Sequence, residues 1–91
     1  MATVLTNLTL KDTINGMTSD DYKDRFIAEY QQLVIRYNGL KNMLDKWGRN
    51  ELPFTPTCPR STYNIQITAM ADYIAVLEAR AVMENIDLQE V

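Results

Sequence analysis

The sequence predicts an all-α protein: an antiparallel two-helix hairpin with an N-terminal arm, assembling as a homo-oligomer. Three observations carry this reading. Two apolar seams step alternately by four and three residues. All three prolines lie between the seams, in ELPFTPTCPRSTYN at residues 51–64. Each segment also has more apolar positions than one mutual face can use.

The first element is the arm, about residues 1–18, MATVLTNLTLKDTINGMT. Its threonine and β-branched residues suit a short strand or an extended arm, followed by a turn at Asn15-Gly16. The hairpin domain follows, over about residues 19–88.

Helix 1 is expected over about residues 19–47. Thr18 or Ser19 suits the N-cap, and Asp20 and Asp21 favour the positive end of a helix. Thr18 with Asp21 resembles a capping box, with Asp in place of Glu. The apolar positions Phe26, Tyr30, Leu33, Tyr37, Leu40, Leu44 and Trp47 hold a heptad seam. Gly48 suits a C-terminal cap. Such a helix is roughly 43 Å long.

Helix 2 is expected over about residues 59–84. Tyr63, Ile67, Met70, Ile74, Leu77 and Ala81 repeat the spacing. Pro59 fits the first turn, where its missing N–H has no partner to lose. Asn85 is a suitable terminator. Matched seams with one connection imply an antiparallel pair. If Trp47 lies near Tyr63, paired numbers total about 110. Arg36 then faces Tyr73, and Glu29 faces Arg80.

Extra apolar residues point to a partner. Ile27 and Val34 widen one seam, and Ile35 lies nearly opposite it. Ile65, Ala69, Val76 and Met83 form a second stripe on helix 2. Contiguous exposed apolar surface marks an interface, and symmetric self-association is the commonest solution for small helical units.

The loop, about residues 48–58, has two readings. Pro53, Pro56 and Pro59 restrict themselves and their preceding residues, giving a stiff joint with Phe54 turned inward over the hairpin end. Alternatively, the N–H groups that open helix 2, with Arg60, Thr55 and Thr57, form an anion site. Tyr30, Tyr37 and Tyr63 sit on the seams and read as core. Tyr22 and Tyr73 lie off them, and Tyr73 with Arg36 either braces the hairpin or stacks a base. Asp21–Arg25, Lys41–Asp45 and Arg80–Glu84 have the spacing of solvated helical pairs. Cys58 reads as structural.

Composition narrows the function. The 91 residues carry net charge −3 and 46% hydrophobic residues. That is one globular domain without the basic footprint of a DNA or RNA binder. Histidine is absent and there is one cysteine, so the usual zinc sites and the commonest general base are missing. The three glycines are scattered and form no phosphate loop. No metal or cofactor is expected, and no enzyme. No apolar run reaches bilayer length, no secretory signal is apparent, and one cysteine fits a reducing cytosol.

The segments YKDRFIAEYQQLVIRYNGLKNMLDKW, FTPTCP and ITAMADYIAVLEARAVMENIDL resemble a family of small helical phage proteins, named after a protein of a crAss-like gut phage. The shared first-helix form is Arg-x-x-x-Glu-x-x-x-Leu, here Arg25, Glu29 and Leu33. The shared second-helix form is Gln-x-x-Ala-Met-x-x-Tyr-x-x-x-Leu-x-x-Arg, here Gln66, Ala69, Met70, Tyr73, Leu77 and Arg80. The resemblance covers about residues 20 to 88. It implies a phage protein acting in the host bacterial cytoplasm. A wider architectural analogy is to phage hairpins that oligomerise and sequester nucleotide signals of bacterial immunity.

The function expected from these readings is a counter-defence protein that binds a small nucleotide, such as a cyclic dinucleotide or an ADP-ribose derivative. The candidate ligand residues are Arg36, Thr57, Arg60, Tyr73 and Arg80. The alternative is a protein-interaction module, an adaptor or inhibitor presenting its outer apolar face to a host protein. A small nucleotide-cleaving enzyme stands third.

Overall fold

A computed structural model describes residues 8–88. Among these the chain is all-helical. A 3-10 turn at Leu10–Thr13 leads directly into α1, Ile14–Met17, then α2, Tyr22–Gly48, and α3, Arg60–Glu84. No strand occurs among the described residues.

The expected strand or extended arm is therefore overturned where the arm is described; its first seven residues lie outside that range. Local hydrogen bonds decide against the strand. The Thr9 N–H and hydroxyl both donate to Asp12 Oδ2, at 2.8 and 3.0 Å. The Thr13 hydroxyl donates to the Leu10 carbonyl at 2.7 Å. Short polar side chains can satisfy backbone groups in this way, which offsets a weak helix propensity. Asn15-Gly16 lies inside α1 rather than in a turn.

Asp21, not Thr18 or Ser19, caps α2, accepting the Lys23 N–H at 3.0 Å. The expected capping box does not form, because the Thr18 hydroxyl turns back to the Ile14 carbonyl at 3.0 Å. At the other end Gly48 is still helical. The left-handed residue is Asn50, with φ 59°. Its N–H reaches the Trp47 carbonyl at 3.0 Å, and the Glu51 N–H reaches Lys46 at 2.8 Å. That pair of bonds is a Schellman closure. The same device ends α3. Asn85 has φ 61°, and the Ile86 N–H reaches the Ala81 carbonyl at 2.9 Å. Pro59 is the N-cap of α3 rather than its first helical residue.

Contacts between α2 and α3 run in opposite directions along the two helices. Trp47 meets Tyr63 near the loop. Tyr30 donates to Glu78 farther along, and Tyr22 to Glu84 at the free ends. Phe26, Leu33, Leu77, Ala81 and Ile86 form the core. Ile86 reaches it because the closure at Asn85 turns the chain back onto the hairpin.

The surplus apolar surface has two fates. On α2, part of it is covered within the chain. α1 packs on α2 and not on α3, and Ala28 beneath it is only 1% exposed. Ile27, Val34 and Ile35 are half-buried. On α3, Ile65, Val76 and Met83 remain exposed.

The expected cross-helix partners are exchanged. Tyr73 donates to the Glu29 carboxylate, not to a site beside Arg36. Arg80 pairs with Glu84 and Tyr22, not with Glu29. Paired numbers total 110 at Trp47–Tyr63, 108 at Tyr30–Glu78 and 106 at Tyr22–Glu84. The total at Tyr73–Glu29, between those pairs, is 102, so the contacts do not share one register: long side chains reach along the helices to partners above or below the residue opposite them.

Candidate functional site

The five candidate residues fall into separate groups along the hairpin. Arg60 and Thr57 are at the loop end. Arg80 is near the free ends, roughly 30 Å away along α3 at 1.5 Å per residue. Tyr73 and Arg36 lie between. One chain does not bring them together.

At the loop end, the three-four step of the seams puts Trp47 and Tyr63 last on α2 and first on α3. Their rings meet edge to face, with centroids 5.9 Å apart. Arg60, three residues before Tyr63, extends over the same indole, its guanidinium carbon 5.4 Å from the ring centroid. This is cation–π distance. No side chain caps α3 here, and Thr62 N–H makes only a 3.0 Å bond to the Pro59 carbonyl. Thr57 is exposed next to this open helix end. Phe54 does not turn inward as expected; it is 55% exposed. It lines a shallow cleft of about 230 Å³ with Trp47, Asn50, Leu52, Thr55 and Pro56. Pro53 and Pro56 restrict the backbone on both sides of Phe54, and the loop leaves its ring at the surface. Cys58 is exposed rather than built into the core.

At the free ends, Arg80 is engaged in a closed network. Its Nε donates to Glu84 Oε2 at 3.1 Å, and its Nη2 to the Tyr22 hydroxyl at 3.0 Å. Tyr22 donates in turn to Glu84 Oε1 at 2.7 Å. The guanidinium also lies 5.0 Å from the Phe26 ring centroid. The Tyr22 hydrogen bond, and then Arg80, hold the Glu84 carboxyl below its ordinary range. The Glu84 hydrogen bond raises both Arg80 and Tyr22. Arg80 is thus a brace between α2 and α3 before it is anything else.

Between these ends, the Tyr73 hydroxyl is bonded to Glu29, leaving the ring 43% exposed. Arg36 is exposed and has no hydrogen bond or ion pair among the described residues. Arg80–Glu84 forms as expected, but Arg25 instead donates to the Ser19 carbonyl at 2.8 Å.

Sequence reasoning paired Glu84 with Arg80 but did not assign Tyr22 to this network. Tyr22 lies off the alternating seam but one helical turn before Phe26, and that i, i+4 spacing is the signal that brings their rings together. A second cleft, of about 340 Å³, separates the N-terminal segment from α2 and is lined in part by Asp12, Asn15, Ser19, Asp24 and Gln31. No group of three metal-binding side chains occurs among the described residues.

No curated protein and no solved structure matches the chain. A family model described as Sequestin matches residues 20–83. That stretch contains α2, the proline loop and nearly all of α3. It also contains the motif residues from Arg25 to Arg80. The chain belongs to the Sequestin family.

Proposed function

We propose that this protein is a phage-encoded counter-defence protein. It binds and sequesters a small nucleotide immune signal, such as a cyclic dinucleotide or an ADP-ribose derivative, as a homo-oligomer in the host bacterial cytoplasm. The family name denotes sequestration, and the phage resemblance supplies the setting. The observation that carries the reading is Arg60 stacked on Trp47 at the open start of α3. Arg60 is held over the ring without a hydrogen bond or ion pair among the described residues, so its N–H donors remain for bidentate phosphate contacts. Helix N–H groups beside it favour the same charge. The action is binding without turnover: the chain has no histidine, and no nucleophile–base spacing is legible in it.

The test is calorimetry against cyclic dinucleotides and ADP-ribose derivatives, followed by denaturation and chromatography of the released ligand. Saturable binding with the nucleotide recovered intact is expected. A cleaved nucleotide makes the protein an enzyme; no binding by any of them removes the reading. The exposed stripe Ile65, Val76 and Met83 favours the second reading, an interaction module for a host protein, in that case.

A further inference from the structure

Among the described residues α3 touches one helix, α2. It spends Met70, Ile74, Leu77 and Ala81 on that contact. Another face carries Ile65, Ala69, Asp72, Val76, Ala79 and Met83, again in steps of four and three. Ile65, Val76 and Met83 are 73%, 54% and 76% exposed. This is a second heptad seam on a helix whose first seam is already occupied.

We propose that a second copy of the chain covers this seam, its α3 antiparallel to the first about a twofold axis. The proposal rests on the self-association reading above and names the face used. Two features select this occupant. The first is self-complementarity. With paired numbers totalling 148, Ile65 of one copy meets Met83 of the other, Ala69 meets Ala79, and Asp72 meets Val76. The twofold axis repeats each layer, which is what an isologous interface requires. The alanine layers let the helix axes approach, and the long side chains close the ends.

The second feature is charge. Asp72 is the one charged residue in the seam, and α3 has two cations, Arg60 and Arg80. Arg80 borders the seam directly after Ala79. In the stated register Arg80 of one copy lies one turn from the residue facing Asp72 of the other. Asp72 has no ion pair within its own chain among the described residues, and the partner copy's Arg80, held in place by its own Glu84 and Tyr22, brings a guanidinium to the turn beside it. Tyr73, directly after Asp72, is one residue from the level of the axis, which a total of 148 places at Ile74. Two candidate ligand residues, Tyr73 and Arg80, thus line the rim of the pair from both copies.

Cysteine pairing tests this in the full chain. In a Cys58→Ser background, Ala69→Cys and Ala79→Cys are made as separate proteins, then oxidised alone and mixed. The mixture is expected to form a disulfide between position 69 and position 79, and neither protein alone to form a dimer. A position-69 homodimer means parallel pairing and overturns the proposal. Light scattering on the unoxidised proteins separates the two levels. A mass near the 10.5 kDa of one chain overturns self-association itself. An oligomer without the mixed disulfide overturns the α3 pairing alone. Val76→Glu, at a position exposed in the single chain, is expected to weaken association at least about tenfold with helicity retained; unchanged association by this variant overturns the pairing.

Discussion

Gly16 lies so close against Ala28 that an added side chain would force the two segments apart. A Cβ on Gly16 would stand 3.0 Å from the Ala28 Cβ and 3.3 Å from the Asp24 carbonyl oxygen. Both neighbours are fixed to the α2 backbone, so neither can turn aside. Gly16→Val is expected to lift the N-terminal segment from α2, with an overpacking cost of about 1–3 kcal/mol. Amide exchange should then rise at Thr13 and α1 while the α2–α3 core keeps its protection. Unchanged exchange there would mean that the segment tolerates the added bulk.

Leu77 is fully buried at 0% exposure. Leu77→Ala leaves a cavity between α2 and α3 and should cost about 2–5 kcal/mol. In a domain of this size that is a large share of total stability. A denaturant melt measures it, and a change below about 0.5 kcal/mol would contradict the core described above.

The two arginines at opposite ends of α3 should behave differently. Arg80→Ala breaks the network with Tyr22, Glu84 and Phe26, so its melting temperature should fall by a few degrees. Arg60→Ala loses only its stacking on Trp47 and should leave the melting temperature nearly unchanged. If Arg60 holds a phosphate, its loss weakens nucleotide binding by roughly ten- to a hundredfold. Melting and calorimetry on both variants distinguish the brace from the ligand contact.

Tyr30 gives the fold an alkaline limit. Burial, and then the Glu78 hydrogen bond, push its phenol up to about 12 from an ordinary 10.0. A raised folded value means that the neutral phenol is favoured in the native state. Its contribution is complete below pH 10 and is lost as pH rises toward about 12. Tyr22 shifts in the same direction. Tyr30→Phe should make the decline in stability over that window shallower, as followed by denaturant melts at successive pH values.

Asn85 ends α3 in the left-handed region, at φ 61°, and so delivers Ile86 to the core. A β-branched residue is strained there. Asn85→Val should destabilise by at least about 1–2 kcal/mol, whereas Asn85→Gly should be close to neutral. Equal stability of the two variants would show that the closure does not depend on this conformation.

Much of the fold is legible in the sequence. The alternating four- and three-residue steps place Phe26, Leu33 and Leu77 on buried faces, because an α-helix brings such residues to one side. The prolines mark the break between α2 and α3, because they cannot continue a helix. The N-terminal segment was misread because its threonines favour strands in isolation; their side chains instead close hydrogen bonds over three and four residues. Gly48 was expected to cap α2 on composition, but the turn falls two residues later at Asn50, and only the path of the chain into the loop shows that.

The candidate site was less legible. Trp47 beside Tyr63 follows from the end of each seam, but Arg60 over the Trp47 ring was seen only in the structure. Arg80 with Tyr22, and Tyr73 with Glu29, do not follow from the register set at the loop. What the sequence alone determined is which residues share a helix face, since that depends on backbone periodicity. What only the tertiary structure decided is which residue meets which across two helices. Long side chains such as Tyr73 and Arg80 reach along the helices, so their partners are set by side-chain length and by which acceptor lies within reach.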